Sequence, residues 1–463
     1  MEIGMRRRYL LALAAGAVLF SACTVQPPPK PNILFLLTDD HRADAIGALG
    51  NPVIKTPNID SIANSGFVFT NAYNLGANVP AVCLPSRNML LSGRAYTRWE
   101  GRFAPPEPAN LADAMKSAGY ETWHQGKKGN TAEEIHKRFD HTQYVANDLE
   151  ARSTGEPGEE IVDNAIEFLT GRQRQQPFFM YLAFAAPHDP RIAAPAYRGL
   201  YDPGEIPLPK NYLPVHPFDN GEMVIRDELL APWPRTGDEI RRHLHDYYAT
   251  ISGLDHHIGR LLQHLKDTGL YENTIIVFAA DQGLAIGSHG LMGKQNLYEH
   301  SAKAPLFISG PDIPQGRSNA LVYLLDVFPT LCSLVGAPQP QGADGATLAP
   351  IMYGQDVRVR RTLFLAYRDV QRSIRDDRYK LILYPHNGTT QLFDLENDPD
   401  EINNLATNPD FAHRVEAMTN ALAQWQEIIG DNAPLVYGDP SNPRFTPPTG
   451  QALRDLRAKW NME

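Results

Sequence analysis

Three stretches of the chain are apolar at almost every position: Ile33 to Thr38, Phe178 to Phe184 and Thr274 to Ala280. A strand with one wet face alternates, so unbroken runs of this length predict sheet strands covered on both sides. Between them the apolar positions fall at helical spacing. Thr56-Pro57 supplies the cap and first turn of a helix reaching Ser65, with others over Gly158 to Arg172 and from Asp238 to about Lys266. Buried strands alternating with helices predict an α/β fold. A stretch rich in proline and aromatics, Pro187 to Pro234, interrupts the pattern. A connection that long is expected to be an ordered loop on the ligand side. After Asp326-Val327-Phe328-Pro329-Thr330 a helix ends near Gly336, and Pro338 to Gly345 reads as a linker. Short strands at Thr362 to Tyr367 and Tyr379 to Leu383, then a helix around His413 to Ile429, predict a smaller α+β unit. The expected organisation is a leader over 1–23, a Pro-rich tether over 24–31, a main domain over 32–355, and an antiparallel-sheet subdomain with a terminal helix over 356–463.

Composition narrows the class. The 463 residues are 43% hydrophobic and 21% charged, enough to bury a large core. With 43 basic against 53 acidic side chains, the net charge of −10 argues against a nucleic-acid partner. An anionic substrate would need a local positive site. Three cysteines, Cys23, Cys83 and Cys332, exclude a disulfide scaffold. Arg6-Arg7-Arg8 followed by the apolar Tyr9 to Phe20 is an export signal too short to span a bilayer. Phe20-Ser21-Ala22-Cys23 resembles the lipobox of bacterial lipoproteins. Cys23 is therefore expected to carry lipid and hold the exported protein at a membrane, at the cell surface or in the periplasm. Cys332, on the apolar side of its helix with Leu331 and Val335, is expected in the core.

Two buried strands run straight into acids, Asp39-Asp40 after the first and Asp281-Gln282-Gly283 after the third. In open α/β sheets ligands bind at the carboxyl ends of strands. Carboxylates gathered there repel one another unless a cation sits among them, and an all-oxygen set suits Ca²⁺ or Mg²⁺ better than zinc. Taken singly, Asp39 and Asp281 also read as ordinary caps. Cys83-Leu84-Pro85-Ser86-Arg87, continuing Asn88-Met89-Leu90-Leu91-Ser92-Gly93-Arg94, places a cysteine ahead of a proline-initiated helix, whose free N–H groups favour an anion. A bare thiol there is either a low-pKa nucleophile or packed and inert.

The stretch C-x-P-S-R-x-x-L-L-x-G-R resembles the signature of type I sulfatases, in which that cysteine is oxidised to formylglycine. Pro31 to Asp40, Thr56-Pro57-Asn58-Ile59-Asp60, Gly119-Tyr120 with Gly126-Lys127, Pro187-His188, Asp281 to Lys294, Leu392-Phe393-Asp394-Leu395 and Asp398-Pro399 follow that family in order. The resemblance implies an alkaline-phosphatase-like fold, a large mostly parallel sheet sandwiched by helices. It matches Asp39, Asp40, Asp281, Gln282 and the modified Cys83 (3-oxoalanine) to ligands of one calcium ion. It matches Arg87, Lys127, His188 and Lys294 to groups around the sulfate or the leaving oxygen. Family members commonly carry a histidine shortly after the lysine; here those positions are Gly129 and Asn130. Asn130 can hydrogen-bond but cannot donate a proton as His⁺ does, which assigns proton delivery to His188, with Lys294 as the alternative.

In this chemistry one hydroxyl of the hydrated aldehyde attacks sulfur, and deprotonation of the other expels sulfate. The implied partners are a sulfated carbohydrate, such as the algal polysaccharide ulvan, and a maturation enzyme that makes formylglycine. Phosphonate monoester or phosphodiester hydrolysis, and glycan binding without catalysis, are the competing readings. Asp189 and Arg191 are expected to contact the sugar or a carboxylate, the alternative being a local ion pair. His289 is expected near the leaving group. His124, His136 and His141 read as surface or turn residues, and His256-His257 as packing or a solvated face.

Overall fold

The computed structural model describes residues 29–99, 110–145, 153–172, 176–436 and 444–462, so Cys23, the export signal and most of the tether lie outside the described residues. Among the described residues, fourteen strands follow in chain order. The first seven are β1 (Asn32–Thr38), β2 (Phe67–Tyr73), β3 (Gly76–Ala77), β4 (Glu121–Lys127), β5 (His141–Val145), β6 (Phe178–Ala183) and β7 (Thr274–Ala280). Next come β8 (Lys303–Ala304), β9 (Leu306–Ser309), β10 (Gly316–Tyr323), β11 (Leu363–Tyr367), β12 (Gln371–Arg375), β13 (Tyr379–Tyr384) and β14 (Thr389–Asp394).

The larger sheet has nine strands in the order β10-β2-β9-β7-β1-β6-β4-β5, with β8 also paired to β2. From β7 to β5 every neighbour is parallel. The antiparallel contacts are those of β9 with β2 and β7, and of β8 with β2. This is the expected α/β architecture, and the three apolar runs are its central strands β7, β1 and β6. Their lack of alternation has a direct cause. Ile33, Phe35 and Leu37 of β1 join the core on one face, while Leu34 and Leu36 join that on the other. The helices Pro57–Ser65, Glu159–Gly171 and Gly237–Asp267 cover one side, and Cys83–Ser92, Leu111–Ser117 and Val327–Val335 the other. Cys332 is fully buried among the latter, as expected.

The smaller sheet runs β14-β13-β12-β11-β3 and is backed by the helix Ala412–Ile429 through Met418, Leu422 and Ile429. Its last strand, β3, belongs to the N-terminal part of the chain, so the two sheets are stitched together rather than tethered. Gly76 permits that contact: at φ +125°, a Cβ there would lie 1.7 Å from the Ala366 carbonyl oxygen. A helix at Gly450–Lys459 has no counterpart in the sequence expectations. Among the described residues no helix is long and apolar enough to cross a membrane.

The histidines near Lys127 need a correction. His124 lies on β4 and His136 on a short helix; both are buried, with rings stacked at 4.0 Å. Burial therefore lowers both pKa values, that of His136 to about 4, and they are neutral core groups rather than surface ones. His141 is the exposed member, paired with Glu121. His256 is exposed and His257 packs against Glu156.

Candidate active site

Because β7, β1, β6 and β4 are parallel neighbours, their carboxyl ends share one edge. The register pairs Thr38 with Ala280, which sets Asp39-Asp40 directly beside Asp281-Gln282. Pairing continues one step past the strands, with the Asp39 N–H on the Ala186 carbonyl and the Asp281 N–H on that of Thr38. β6 leads into Pro187-His188, and β4 ends on Lys127. Four separate pieces of chain thus deliver their chemistry to one place by topology alone.

The fifth piece is the helix Cys83–Ser92, whose first residue faces the acids. The Cys83 Sγ is 3.0 Å from Asp39 Oδ1 and 3.7 Å from Asp40 Oδ1. One ligand atom each from Asp39, Asp40, Cys83 and Asp281 fall within 4.8 Å of one another. The Ser86 hydroxyl donates to the Asp281 carbonyl at 2.7 Å and ties the helix to β7. Asp40 sits at φ 62°, a costly conformation for a non-glycine residue. Two hydrogen bonds hold it there: its N–H to Asp281 Oδ1 at 3.0 Å, and Tyr247 Oη to its carbonyl at 2.7 Å.

Two buried cations face these acids. Arg87 bridges Asp39 and Asp281 at 3.0 and 2.9 Å. Lys294 Nζ lies 2.9 Å from both Asp40 oxygens and 3.1 Å from Cys83 Sγ. Burial alone would raise the pKa of Asp39, but Arg87, followed by His188, Lys127 and Lys294, brings it well below the carboxylate range. Asp281 shares the same guanidinium, yet burial and then Asp39 push it up to about 7. The pair together holds more negative charge than Arg87 neutralises. Burial and the neighbouring acids Asp281 and Asp39 also push the Cys83 thiol well above its ordinary value. An unmodified thiol here is a poor nucleophile.

The donor set fits a hard divalent cation. Gln282 donates its amide N–H to Asp40 Oδ1 at 2.7 Å and to Cys83 Sγ at 3.1 Å, while its buried Oε1 has no hydrogen-bond partner. Exchanging the two amide ends would turn an oxygen toward Asp40 and Cys83, where a cation rather than a hydrogen bond would satisfy it. With three carboxylates, that makes the all-oxygen shell Ca²⁺ and Mg²⁺ prefer.

His188 Nδ1 lies 2.7 Å from the Asp189 carbonyl, which accepts only, so Nδ1 carries a proton. Nε2, 3.7 Å from Asp40 Oδ2, is left as the exchangeable position. Lys127 and His188 line one pocket, with Thr154, Glu156 to Ile161 and Ile192 also in its walls. Asn130 donates to Asp39 Oδ2 at 2.8 Å.

Two residues expected to contact substrate hold partners within the protein. Both Asp189 oxygens are taken by Arg226, so the ion-pair alternative accounts for this side chain, with a partner far along the chain rather than Arg191 beside it. His289 stacks on Tyr298 at 3.9 Å and bonds to the Glu401 carbonyl at 2.9 Å, which commits it to the contact between the sheets. Arg191 lies over the Tyr247 ring at 5.4 Å, with Nε and Nη2 buried and without hydrogen-bond partners.

Comparison with known proteins gives this geometry its family. Residues 31–337 match the family model described as Sulfatase, which spans more than half of the chain. The chain belongs to the sulfatase family. It is a sulfuric ester hydrolase, and enzymes of this family generally use formylglycine and a divalent metal. Residues 287–428 of this sulfatase also match the model described as N-sulphoglucosamine sulphohydrolase, C-terminal. An N-acetylglucosamine-6-O-sulfatase of Bacteroides thetaiotaomicron is 27% identical, with 92% of each chain covered. An ulvan-active sulfatase of Formosa agariphila is 30% identical over 83% of this chain and 78% of its own. A solved structure described as in complex with its substrate D-glucosamine-2-N,6-O-disulfate superposes with a TM-score of 0.73 at 25% identity, covering 88% of this chain and 99% of that one.

Sequence reasoning missed the supports around the site. Arg226-Asp227-Glu228 is a run of three charges inside an otherwise proline- and aromatic-rich insertion. That local contrast is the signal that marks these residues as something other than solvated surface.

Proposed function

We propose that this sulfatase releases sulfate from a sulfated carbohydrate, using formylglycine made from Cys83 and one calcium ion. The observation that carries the reading is the convergence of Asp39, Asp40, Asp281 and Cys83 at a buried helix start, ringed by Arg87, Lys294, Lys127 and His188. Asp39, Asp40, Asp281 and Gln282 would hold the calcium, which supplies fixed positive charge against the sulfuryl oxygens. With Cys83 matured, the hydrated aldehyde supplies the nucleophile. Arg87 is fixed by two carboxylates and orients the helix start around it. Lys127 and Lys294 bring cations to a site where negative charge grows on the leaving oxygen, without reorganisation during the step. His188, its Nδ1 proton anchored on a carbonyl, presents Nε2 to give that oxygen a proton. Such general-acid help is worth roughly 10²–10⁴-fold for a poor leaving group.

The carbohydrate reading is supported by relatives named for N-acetylglucosamine-6-O-sulfate and ulvan. Arg191, with donors still unpaired beside Tyr247, suits a second anionic group on such a substrate, a carboxylate or another sulfate. Export as a lipoprotein through Cys23, at the outer membrane or in the periplasm, fits a polymeric substrate, and a maturation enzyme must act on Cys83 before use.

The test is to incubate matured protein with sulfated glucosamine and ulvan oligosaccharides and follow sulfate by ion chromatography, with paired sulfate and phosphate monoesters, phosphodiesters and phosphonate monoesters alongside. Sulfate release, with kcat/KM higher for the sulfate ester, is expected. A higher kcat/KM for a phosphorus compound would replace the reading by phosphonate or phosphodiester hydrolysis. Thiol at Cys83 in mass spectra, together with no turnover, would leave glycan binding.

A further inference from the structure

The segment Asp281 to Asn296 leaves β7 and folds back to return Lys294 to the acids. A short antiparallel ladder closes its turn, with the Ala285 N–H on the Gly293 carbonyl and the Gly287 N–H on that of Leu291. Nothing in that ladder fixes the residues next to Lys294 against the rest of the protein. The insertion does. The buried Glu228 carboxylate accepts the N–H groups of Met292 at 3.0 Å and Gly293 at 2.8 Å. The remaining charge on Glu228 is met by the buried Arg235 at 2.6 Å, whose other terminal nitrogen donates to the Gly290 carbonyl. On the far side of Lys294, the Asp227 carboxylate accepts the Gln295 amide at 2.8 Å, and Gln295 Oε1 accepts the Lys294 N–H at 3.0 Å. The approach is so close that a Cβ on Gly293 would lie 2.5 Å from Gln295 Oε1, 2.8 Å from Asp227 Cβ and 3.2 Å from Glu228 Oε1.

We propose that Glu228, with Arg235 as its counter-ion, is a positioning residue that sets Lys294 against Asp40 and Cys83. A carboxylate holding two consecutive backbone N–H groups fixes both the place and the tilt of the peptide that carries the lysine. The inference rests on Lys294 acting in sulfate ester hydrolysis.

Its test is a double-mutant cycle on kcat/KM for a sulfate ester. Glu228→Gln keeps the shape but removes the charge that holds Arg235 and sets an amide N–H against either Arg235 or the backbone donors. It is expected to lower kcat by roughly 10²-fold, the scale for a misplaced catalytic group, with little change in KM. In a Lys294→Ala background the same substitution is expected to change kcat/KM by less than about threefold, because the group it positions is gone. Glu228→Asp keeps the charge and the partner of Arg235, so it preserves folding and is expected to restore part of the loss. If Glu228→Gln does not fold, the cycle is run with Glu228→Asp instead. Equal losses in both backgrounds, or no loss in either, overturn the proposal. Wild-type protein that releases no sulfate would instead sink the sulfatase reading.

Discussion

Two of the clusters of buried charge among the described residues differ in a way that shows which one exists to take a ligand. At the seam between the sheets, Lys380 contacts Glu299 at 3.0 Å and Glu401 at 2.9 Å. Arg375 and the Tyr73 hydroxyl meet the same Glu299 carboxylate, and the Glu299 N–H donates to Glu401 at 2.7 Å. There two carboxylates face two cations. At the strand ends, three carboxylates, Asp39, Asp40 and Asp281, are in direct contact with two cations, Arg87 and Lys294, and Gln282 Oε1 stays unpartnered. A perturbed pKa does not separate the two clusters, since burial raises Glu401 and Asp281 alike to about 7. The count of contacting charges does, and Glu401 Oε1, which accepts no hydrogen bond, still meets Lys380 at 2.9 Å, whereas Gln282 Oε1 has no such counter-charge. The seam is closed by its own side chains; the strand-end cluster is completed by something from outside.

The largest expected effect is on the chemistry of the strand-end cluster. Cys83→Ala removes the precursor of the nucleophile and no counter-charge. Sulfate release should fall by about 10⁴-fold or more, while the thermal midpoint moves by no more than about 4 °C. Turnover within tenfold of wild type would remove Cys83 from the mechanism. Metal comes next. A chelator should abolish activity and added calcium restore it, and calcium at about 100 times its Kd should stabilise the fold by about 2.7 kcal/mol. Asp281→Asn should weaken both responses, whereas a change at the seam should leave them intact. Full activity after exhaustive chelation would refute the cation reading.

At the seam the expected effect is on stability alone. Lys380→Met leaves Glu299 and Glu401 facing each other in the interior, a loss of about 3–5 kcal/mol in urea unfolding. The folded fraction should keep kcat within about threefold, since every partner of Lys380 lies in the seam. A large fall in kcat at unchanged stability would mean that the seam and the catalytic edge are coupled.

What the sequence made legible follows from how local each signal is. The central strands were readable because burial on both faces erases alternation, as in Ile33 to Thr38, and the acids after them were readable because topology sends strand ends to one edge. Cys83, Arg87, Lys127, His188 and Lys294 could be listed from motifs, but only the register of β1 with β7 shows why Asp39 and Asp281 share one guanidinium. The partners of Asp189 and His289 could not be foreseen, because Arg226 and Glu401 lie 37 and 112 residues away along the chain. His124 was misjudged because an isolated histidine in a polar neighbourhood looks exposed, while β4 turns it inward against Tyr181 and His136. The two-residue strand β3 carries no periodicity at all.

The smallest expected effect is on how the stability of the seam depends on pH. Glu401, ordinarily near 4.5, is raised by burial to about 7 in the folded protein. Between those values the native state holds a proton that the unfolded chain has released, so this group's contribution is full below about pH 4.5 and lost as pH rises through 7. His289, against the Glu401 backbone, works in the opposite sense: burial lowers it from 6.5 to about 4, so its contribution is lost as pH falls through that window. The two slopes partly cancel in the wild type. Glu401→Gln removes the first and leaves the second, so its stability relative to wild type should rise as pH goes from 4.5 to 7. His289→Gln should do the reverse. Urea titrations across that range measure both, and a Glu401→Gln profile parallel to wild type would show that the seam carboxylate is already ionised throughout, as its balanced partner count alone would suggest.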